Sequence, residues 1–340
     1  MDSFDYRKRA AAELIAWISA TATERSAAAG SHLIREGDQA EALLFLLDGQ
    51  LEAITSDAEQ RDVTLGSLAA GAVIGEMSWL EQRPAVADIV SPGTCQLLEL
   101  PFSSIQQLER SNPHLAAQLH RLLAQKLALQ IQQQNIRLAG GAQNPVEPLR
   151  KVLTLFANLQ QRDVHRLASV GNRQTVAPGA WLLRQGQAVN SLYLVLSGDG
   201  EIQLELDGQT RPVGKARRGE LIGEMSLLLE EQIGASASVL APEGMDVLAI
   251  DLEQLRLELS GDASLDCRFH RAIACMLSQR SRDQLQRHQL GQRSQNRELA
   301  EANDDDEDSL DLQQLEGVSR GARHFDWLCR QVQHQGAERP

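Results

Sequence analysis

A short segment with ligand-binding chemistry occurs twice in the 340-residue chain. Its two copies are Gly75, Glu76, Met77 and Ser78, and then Gly223, Glu224, Met225 and Ser226. A glycine and a glutamate that open a short helix offer free backbone N–H groups beside one carboxylate. These groups suit a ligand that has an anionic phosphate and a sugar hydroxyl. The sequence therefore predicts two ligand-sized pockets, or the remnants of two.

The elements around these segments are duplicated as well, at a spacing of about 150 residues. Residues 29–38 match 178–187, residues 44–49 match 193–198, and the apolar stripe that starts at Leu115 reappears from Leu265. Two homologous domains in tandem follow from this duplication. The predicted organisation is a first domain at 1–139, a linker at 140–145, a second domain at 146–296, and an acidic spacer with a short helix at 297–340.

Each repeat has the pattern of an α+β fold. Helical lead-ins at about 8–20 and 146–170 are followed by short alternating segments that glycines interrupt, which is typical of an antiparallel β-roll or jelly-roll barrel. The predicted strands lie at 43–47, 51–55, 72–74, 96–100, 192–196, 200–206 and 247–251. A long helix closes each domain; in the first, Ser111 or Asn112 caps the helix and Pro113 begins it.

Composition excludes several classes of function. The chain has 46 acidic and 33 basic residues, a net charge of −13, and only 4% aromatic residues. Such a chain repels a phosphate backbone and offers few platforms for stacking bases, so we expect no DNA partner. Residues 297–340 are also too few for a helix-turn-helix domain of about 70 residues, and they begin with acidic residues.

Catalytic and metal-binding patterns are also missing from the sequence. Four scattered cysteines and eight histidines show no spacing of a zinc site or a disulfide framework. No nucleophile elbow, phosphate-binding loop or dinucleotide fingerprint occurs. We therefore expect no catalytic residues and no bound metal. No run approaches the roughly 18 apolar residues of a membrane span, so we expect a cytoplasmic protein without direct membrane insertion.

The order of these motifs resembles the cyclic nucleotide-binding domain of kinase regulatory subunits, bacterial cAMP-receptor-type regulators and nucleotide-gated channels. The resemblance covers about residues 8–138 and 146–292 and includes the Gly-x-x-Leu-x-Arg-x-Gly start, the strand-closing glycine and the Gly-Glu-Met-Ser helix. It implies that the short helix binds the cyclic phosphate of cAMP or cGMP and that the glutamate holds the ribose 2′-hydroxyl. It also implies a following arginine that pairs with the phosphate.

Both repeats depart from the family at that arginine. Ala85 and Ala235 occupy its position, and Asp88 replaces a hydroxyl residue in the first repeat. Arg83, one residue before Pro84, and Ser236 in the second repeat are the nearest substitutes. The competing interpretation is structural: the glycine permits a tight turn and the glutamate favours the helix start electrostatically, with no ligand.

Two functions from different classes follow. The first is a non-catalytic regulatory module that senses a cyclic nucleotide or a related small ligand and signals through its long helices to a partner protein or a second copy. The second is an interaction scaffold with degenerate pockets, or the cytoplasmic regulatory portion of a transporter or secretion exporter. The sequence also leaves open whether the apolar face of Phe325, Leu328, Cys329 and Val332 packs on the domains or on a partner.

Overall fold

The computed structural model describes residues 4–56, 62–138, 151–229, 234–295 and 312–335. The chain forms two compact units. The first comprises Met1–Leu127 and Leu277–Asp306, and the second comprises Ala128–Met276 and Glu307–Pro340. The predicted linker at 140–145 and the acidic run at 303–308 lie outside the described residues. The domain boundaries predicted from the sequence stay a prediction. Each compact unit combines two separate stretches of the chain that lie close in space, whereas the predicted domains are continuous stretches.

The first repeat folds into elements in the predicted order. Its strands are β1 (Thr23–Ala27), β2 (Ser31–Ile34), β3 (Ala42–Asp48), β4 (Gln50–Ser56), β5 (Asp62–Ala69), β6 (Val73–Ile74), β7 (Asp88–Ser91) and β8 (Cys95–Pro101). Its helices are α1 (Tyr6–Arg9), α2 (Ala12–Thr21), α3 (Glu76–Glu81), α4 (Phe102–Ser111) and α5 (Pro113–Leu138). The helical lead-in at 8–20 and the predicted strands are confirmed, with the lead-in divided into two short helices.

The second repeat follows the same order. Its strands are β9 (Gly171–Val176), β10 (Ala180–Leu183), β11 (Ser191–Gly198), β12 (Gly200–Leu206), β13 (Gln209–Ala216), β14 (Leu221–Ile222), β15 (Ser238–Ala241) and β16 (Met245–Asp251). Its helices are α6 (Lys151–Asn158), α7 (Gln161–Val170), α8 (Glu224–Leu228), α9 (Leu252–Gly261), α10 (Ala263–Gln295) and α11 (Leu312–Gln335). The strands predicted in this repeat are confirmed as well.

Each repeat contains a pair of four-stranded antiparallel sheets. The sheet orders are β1-β8-β3-β6 and β2-β7-β4-β5 in the first repeat, and β9-β16-β11-β14 and β10-β15-β12-β13 in the second. The α+β class and the antiparallel roll are confirmed, but within the described residues the two sheets of a repeat do not close into one barrel. The predicted jelly-roll barrel is in this respect wrong: each roll keeps two separate sheets.

The core of each roll lies between its two sheets. In the first repeat, Leu44 and Leu46 of β3 pack with Leu51 of β4 and Ile89 of β7. Val195, Val239 and Val247 occupy the corresponding core of the second repeat. Bulges recur at matching places, between Leu46 and Asp48 and between Val195 and Ser197. The duplication therefore extends to local irregularities that the residue pattern alone does not show.

Long helices close both repeats as predicted. Asn112 is the cap of α5, because its side-chain oxygen accepts a hydrogen bond from the Leu115 N–H at 3.1 Å, whereas the Ser111 hydroxyl donates to the Gln107 carbonyl instead. The apolar stripe of each helix is buried: Leu115, Leu119, Leu122, Leu123 and Leu127 on α5, and Leu265, Phe269, Ile273, Met276 and Leu277 on α10. Burial of these faces explains why the helices form where they do.

The C-terminal helix α11 packs on its own unit, which answers the question that the sequence left open. Phe325 is 3% exposed, and its ring lies 5.2 Å from that of Phe156 on α6. The ring of Trp327 stacks on His165 of α7 at 3.6 Å. The apolar face of α11 therefore covers the helical lead-in of the second repeat.

The positions of Trp79 and Trp181 inside apolar segments of the sequence predict that both are core anchors, but the two differ in burial. Trp79 is 1% exposed and is a core residue. Trp181 is only partly buried, and the guanidinium of Arg184 lies 4.9 Å from the centre of its ring. The prediction for Trp181 is therefore wrong: a surface cation covers the ring where core side chains were expected.

Candidate functional site

The two Gly-Glu segments form the same turn. Gly75 and Gly223 cap the short helices α3 and α8 with φ angles of 88° and 94°, in the left-handed region. A Cβ at Gly75 would lie 2.7 Å from the carbonyl oxygen of Ala42, and one at Gly223 would lie 2.9 Å from that of Ser191. Both the backbone angle and the space thus require glycine at these positions.

The glutamate that follows each glycine is buried at the first position of its helix. Glu76 is 3% exposed and Glu224 is 4% exposed. The Glu76 carboxylate forms an ion pair with the ammonium group of Lys126 on α5, within the first unit. Sequence reasoning missed Lys126, although its charge interrupts the apolar stripe between Leu123 and Leu127 and is the signal that could have identified it.

The remaining residues of the two segments lie partly in the core and partly at the surface of a cavity. Met77, Ser78 and Met225 are buried. Ser226, which is half-buried, lines a cavity of about 540 Å³ together with Gly234, Asn190 and Arg256 of α9. This volume lies in the range of small-molecule sites, which is about 300 to 1,000 Å³. The second segment therefore borders a space of ligand size, which is lined by one cation, Arg256, and by the acidic residues Asp251 and Glu253.

Ala85 and Ala235 occupy equivalent positions in the two repeats. The N–H of Ala85 donates to the Asp38 carbonyl at 2.9 Å, and its carbonyl accepts from the Gly37 N–H at 3.0 Å. Ala235 makes the matching pair of bonds with Gln187 and Gly186, at 2.7 and 2.9 Å. The backbone at these two alanines is thus held in the same way in both repeats.

The side chains three residues later have a backbone role. Asp88 accepts a hydrogen bond from the Glu36 N–H at 2.6 Å, and the Ser238 hydroxyl oxygen accepts one from the Gln185 N–H at 2.9 Å. Asp88 thus has a hydrogen-bond partner within the protein. Its carboxylate satisfies a backbone donor that no sequence pattern reveals. Ser236, the other polar residue predicted here, is half-buried.

Arg83 lies close to the end of α3. The Glu81 carboxyl at this end is buried, and burial raises its pKa, whereas the nearby positive charges of Arg282 and Arg83 act to lower that pKa. Sequence reasoning suggested Arg83 as a substitute for the missing phosphate partner. In the structure the Arg83 side chain is half-buried, and its positive charge acts to lower the pKa of Glu81.

Other candidate chemistry has structural explanations. His120 is fully buried and its Nε2 lies 2.8 Å from Glu109, and His270 lies 2.7 Å from Asp266. All four cysteines are free thiols. In the described ranges no group of histidine, cysteine and acidic side chains has the arrangement of a metal site. No helix within the same ranges is both long and apolar enough to cross a membrane.

Known proteins show the same organisation. The family description "cyclic nucleotide-binding domain" matches residues 24–112 and 173–261, one match in each repeat. The cGMP-dependent protein kinase egl-4 of Caenorhabditis briggsae is 27% identical over 260 residues, which are 76% of this chain and 30% of the kinase. The cAMP-dependent protein kinase regulatory subunit of Yarrowia lipolytica is 23% identical over 205 residues, 60% of this chain and 46% of the subunit.

A solved structure is also similar to part of this chain. It is the regulatory domain of Toxoplasma gondii PKA with cAMP, with 19% identity, a TM-score of 0.30, and coverage of 75% of this chain and 87% of that one. The chain spans less than half the length of the curated relatives named above. The two family matches together cover just over half of the chain. The chain therefore belongs to the cyclic nucleotide-binding domain family, of which it carries two copies in tandem.

Proposed function

We propose that this chain is a non-catalytic regulatory module that binds a cyclic nucleotide, cAMP or cGMP, at its two Gly-Glu segments. The single observation that carries the proposal is the repeated turn, in which Gly75 and Gly223 share one left-handed conformation and each precedes a buried glutamate. A turn that only closed a loop would not need a buried carboxylate, because burying a charge costs free energy. The family match supports the same assignment.

Each residue of the segments has a proposed role. The N–H groups of Met77 and Ser78 in α3 and of Met225 in α8 would face the cyclic phosphate, because the N-terminus of a helix favours an anion. The Ser226 N–H instead donates to the Gly223 carbonyl oxygen at 3.2 Å. Glu76 and Glu224 would accept a hydrogen bond from the ribose 2′-hydroxyl. Ser236 and Arg256 would supply donors near the second site.

The missing arginines set the expected affinity. A charge-assisted hydrogen bond contributes about 1.5 to 3 kcal/mol, so alanine at positions 85 and 235 should weaken phosphate binding by about ten- to a hundredfold. We therefore propose binding in the micromolar range. Ala85 and Ala235 would then reduce the affinity without removing the site.

The ion pair between Glu76 and Lys126 supports a regulatory role. A nucleotide that engages Glu76 changes the partner of Lys126 on α5, so ligand occupancy and the position of this helix depend on each other. The signal would pass to a protein partner, or to a second copy of the chain, that binds the long helices. Free cysteines suit a reducing compartment, and we propose the cytoplasm.

The absence of the arginine in both repeats favours one alternative. If neither pocket binds a ligand, the same fold would act as an interaction scaffold, or as the cytoplasmic regulatory portion of a transporter or secretion exporter. The matched backbone bonds at Ala85 and Ala235 suit this alternative equally well, because they hold the fold without a ligand.

Isothermal titration calorimetry of the full chain separates the two functions. The probes are cAMP, cGMP and cyclic dinucleotides, and the controls are Glu76→Ala and Glu224→Ala. The proposal expects saturable binding that one of these substitutions abolishes, which also identifies the working domain. Absence of heat with every nucleotide at millimolar concentration would reject the sensor and favour the scaffold.

A further inference from the structure

The C-terminal end of helix α3 is held by residues of α10. Glu81, the last residue of α3, accepts a hydrogen bond from Arg282 Nε at 2.7 Å and another from the Ser278 hydroxyl at 2.5 Å. Residues from Leu277 onward belong to the first compact unit, so all three side chains lie within that unit. The Glu81 and Arg282 side chains are only 1% and 7% exposed.

The same guanidinium also contacts the loop behind α3. Arg282 Nη1 donates to the carbonyl oxygen of Pro84 at 3.3 Å, and Pro84 is the residue directly before Ala85. One side chain therefore contacts both the end of the ligand helix and the loop that leads to the arginine position. A guanidinium suits this task because its donors form a rigid planar fork.

The contact depends on both charged groups. The pKa of Glu81 is raised by burial and lowered by the positive charge of Arg282, so each group offsets part of the cost of burying the other. The Nη2 of Arg282 is buried and has no hydrogen-bond partner in the part of the chain that the structure describes. Removing Glu81 leaves Arg282 buried without its hydrogen-bonded counter-charge, and removing Arg282 leaves the buried Glu81 with only the nearby charge of Arg83.

We propose that Arg282 is a positioning residue for the first ligand-binding segment. It fixes the C-terminal end of α3 while Lys126 holds the N-terminal end through Glu76. The conformation of α3 and that of residues 278–285 of α10 are therefore coupled. The inference rests on the proposed function, because it makes α10 a second output of the same pocket, beside α5.

Hydrogen–deuterium exchange of the full chain without ligand tests the contact. We expect Arg282→Gln to accelerate amide exchange in residues 76–82 by about tenfold, because it frees one end of α3. Arg110→Gln is the matched control: Arg110 is an exposed arginine on α4, and its removal should change exchange in 76–82 by less than about twofold. Unchanged exchange of residues 76–82 in Arg282→Gln would overturn the proposal.

A substitution at the opposite end of α3 tests the coupling itself. Lys126→Met also destabilises the first unit as a whole, so exchange in residues 278–285 is compared with exchange in strand β3 of the same unit, residues 42–48. The coupling predicts that 278–285 accelerate by about threefold or more beyond 42–48, because loosening the N-terminal end loosens the whole short helix. Equal acceleration of the two segments would overturn the proposal.

Two further variants distinguish a loss of positioning from misfolding of the protein. Arg282→Lys keeps one charge for Glu81 but lacks the fork that also reaches Pro84, so its exchange in 76–82 should lie between wild type and Arg282→Gln. The double variant Glu81→Met with Arg282→Met removes both buried charges and should fold. In this double variant, Lys126→Met should accelerate residues 278–285 no more than residues 42–48, whereas a retained excess in 278–285 would contradict the proposed route.

Nucleotide titration separates failure of this inference from failure of the proposed function. If cAMP or cGMP binds the first site, Arg282→Gln should weaken that binding by about tenfold, because α3 is no longer preorganised. Unchanged affinity would overturn the positioning role and leave the proposed function intact. If neither nucleotide binds the wild type, the proposed function fails, and the exchange measurements still decide whether α3 and α10 are coupled.

Discussion

Glu76 at the start of α3 and Lys126 on α5 form an ion pair in which the side chains are 4% and 13% exposed. The carboxylate that is proposed to bind the ribose hydroxyl therefore already has a cationic partner in the protein. Ligand binding at this site would share that carboxylate between a hydroxyl group and an ammonium group. The pair connects the proposed site directly to the long helix that closes the first domain.

Replacing Lys126 by methionine should destabilise the first unit. The change leaves Glu76 buried without its counter-charge, and breaking a buried pair in this way costs about 3 to 5 kcal/mol. Urea unfolding followed by circular dichroism measures the loss. Lys8→Met, which removes an exposed lysine of α1, is the control and should cost less than about 0.5 kcal/mol. Equal effects of the two substitutions would contradict the importance of the pair.

The local parts of the site were predictable from the sequence, and the long-range parts were not. Gly75 and Gly223 could be recognised because a left-handed turn against a carbonyl oxygen tolerates only glycine, which leaves a signature at one position. Lys126 contacts Glu76 across 50 positions of sequence, and Arg282 contacts Glu81 across 201. Such pairs depend on how helices pack: the charge of Lys126 stands out within its apolar stripe, but no local pattern identifies the partner.

Prediction from the sequence also failed where the partner is a backbone group. The role of Asp88 depends on the N–H of Glu36, and every residue except proline carries such a donor. The residue type at position 36 therefore gave no hint of the bond. The burial of Trp181 was predicted wrongly for a related reason. The residues of its strand are apolar, but whether one face of that strand is exposed to solvent depends on how the other sheet packs against it.

Asp163→Asn should destabilise the second unit. Asp163 is 1% exposed, accepts two hydrogen bonds from Arg268 at 2.6 and 2.8 Å, and accepts a third from the Gln160 N–H at the start of α7. Loss of the charge leaves the Arg268 guanidinium without its counter-ion, at a cost of about 3 to 5 kcal/mol. Differential scanning calorimetry provides the measurement.

The control for this experiment is Asp199→Asn, at an exposed aspartate next to β12. It should shift the unfolding temperature by no more than about 2 °C. A second comparison replaces Asp163 by leucine and Arg268 by methionine together, which should recover most of the loss because no buried charge remains unpaired. If the double variant is less stable than the single one, this account of the pair fails.

Asp246 should make the second unit sensitive to acid. A hydrogen bond from the Thr175 hydroxyl, followed by one from Arg173, lowers the pKa of this carboxyl below its ordinary value of 3.8. The ionised form is therefore favoured in the folded state, so its stabilisation is complete above about pH 5 and is lost as the pH falls through the folded pKa. Urea unfolding between about pH 2 and pH 6 shows this loss.

Asp246→Asn removes the titrating group, so the stability of this variant should fall less steeply with acid than that of the wild type. Glu243→Gln, which alters an exposed carboxylate in the loop before β16, is the matched control and should retain the wild-type slope. Identical slopes for the wild type and Asp246→Asn would show that this carboxyl has the same pKa in the folded and unfolded chain.

Phe325→Ala should loosen α11 from the second unit. The ring packs on Phe156, and the Arg218 guanidinium lies 4.9 Å from its centre, so truncation removes a core side chain at a cost of about 3 to 5 kcal/mol. Limited proteolysis should then release the C-terminal segment faster than from the wild type. Arg323→Ala, at an exposed position of the same helix, is the control. Equal cleavage rates would mean that this ring does not hold α11.

The central claim is that the two Gly-Glu segments are nucleotide sites that lack one phosphate contact. Ala85→Arg and Ala235→Arg test it by adding the guanidinium at positions where the backbone is already anchored. Calorimetric titration with cAMP should show a dissociation constant that falls by about ten- to a hundredfold at the restored site. Gln106→Arg, which adds the same charge at an exposed position of α4, should leave the affinity unchanged. If neither Ala85→Arg nor Ala235→Arg tightens binding, the phosphate site has been placed wrongly.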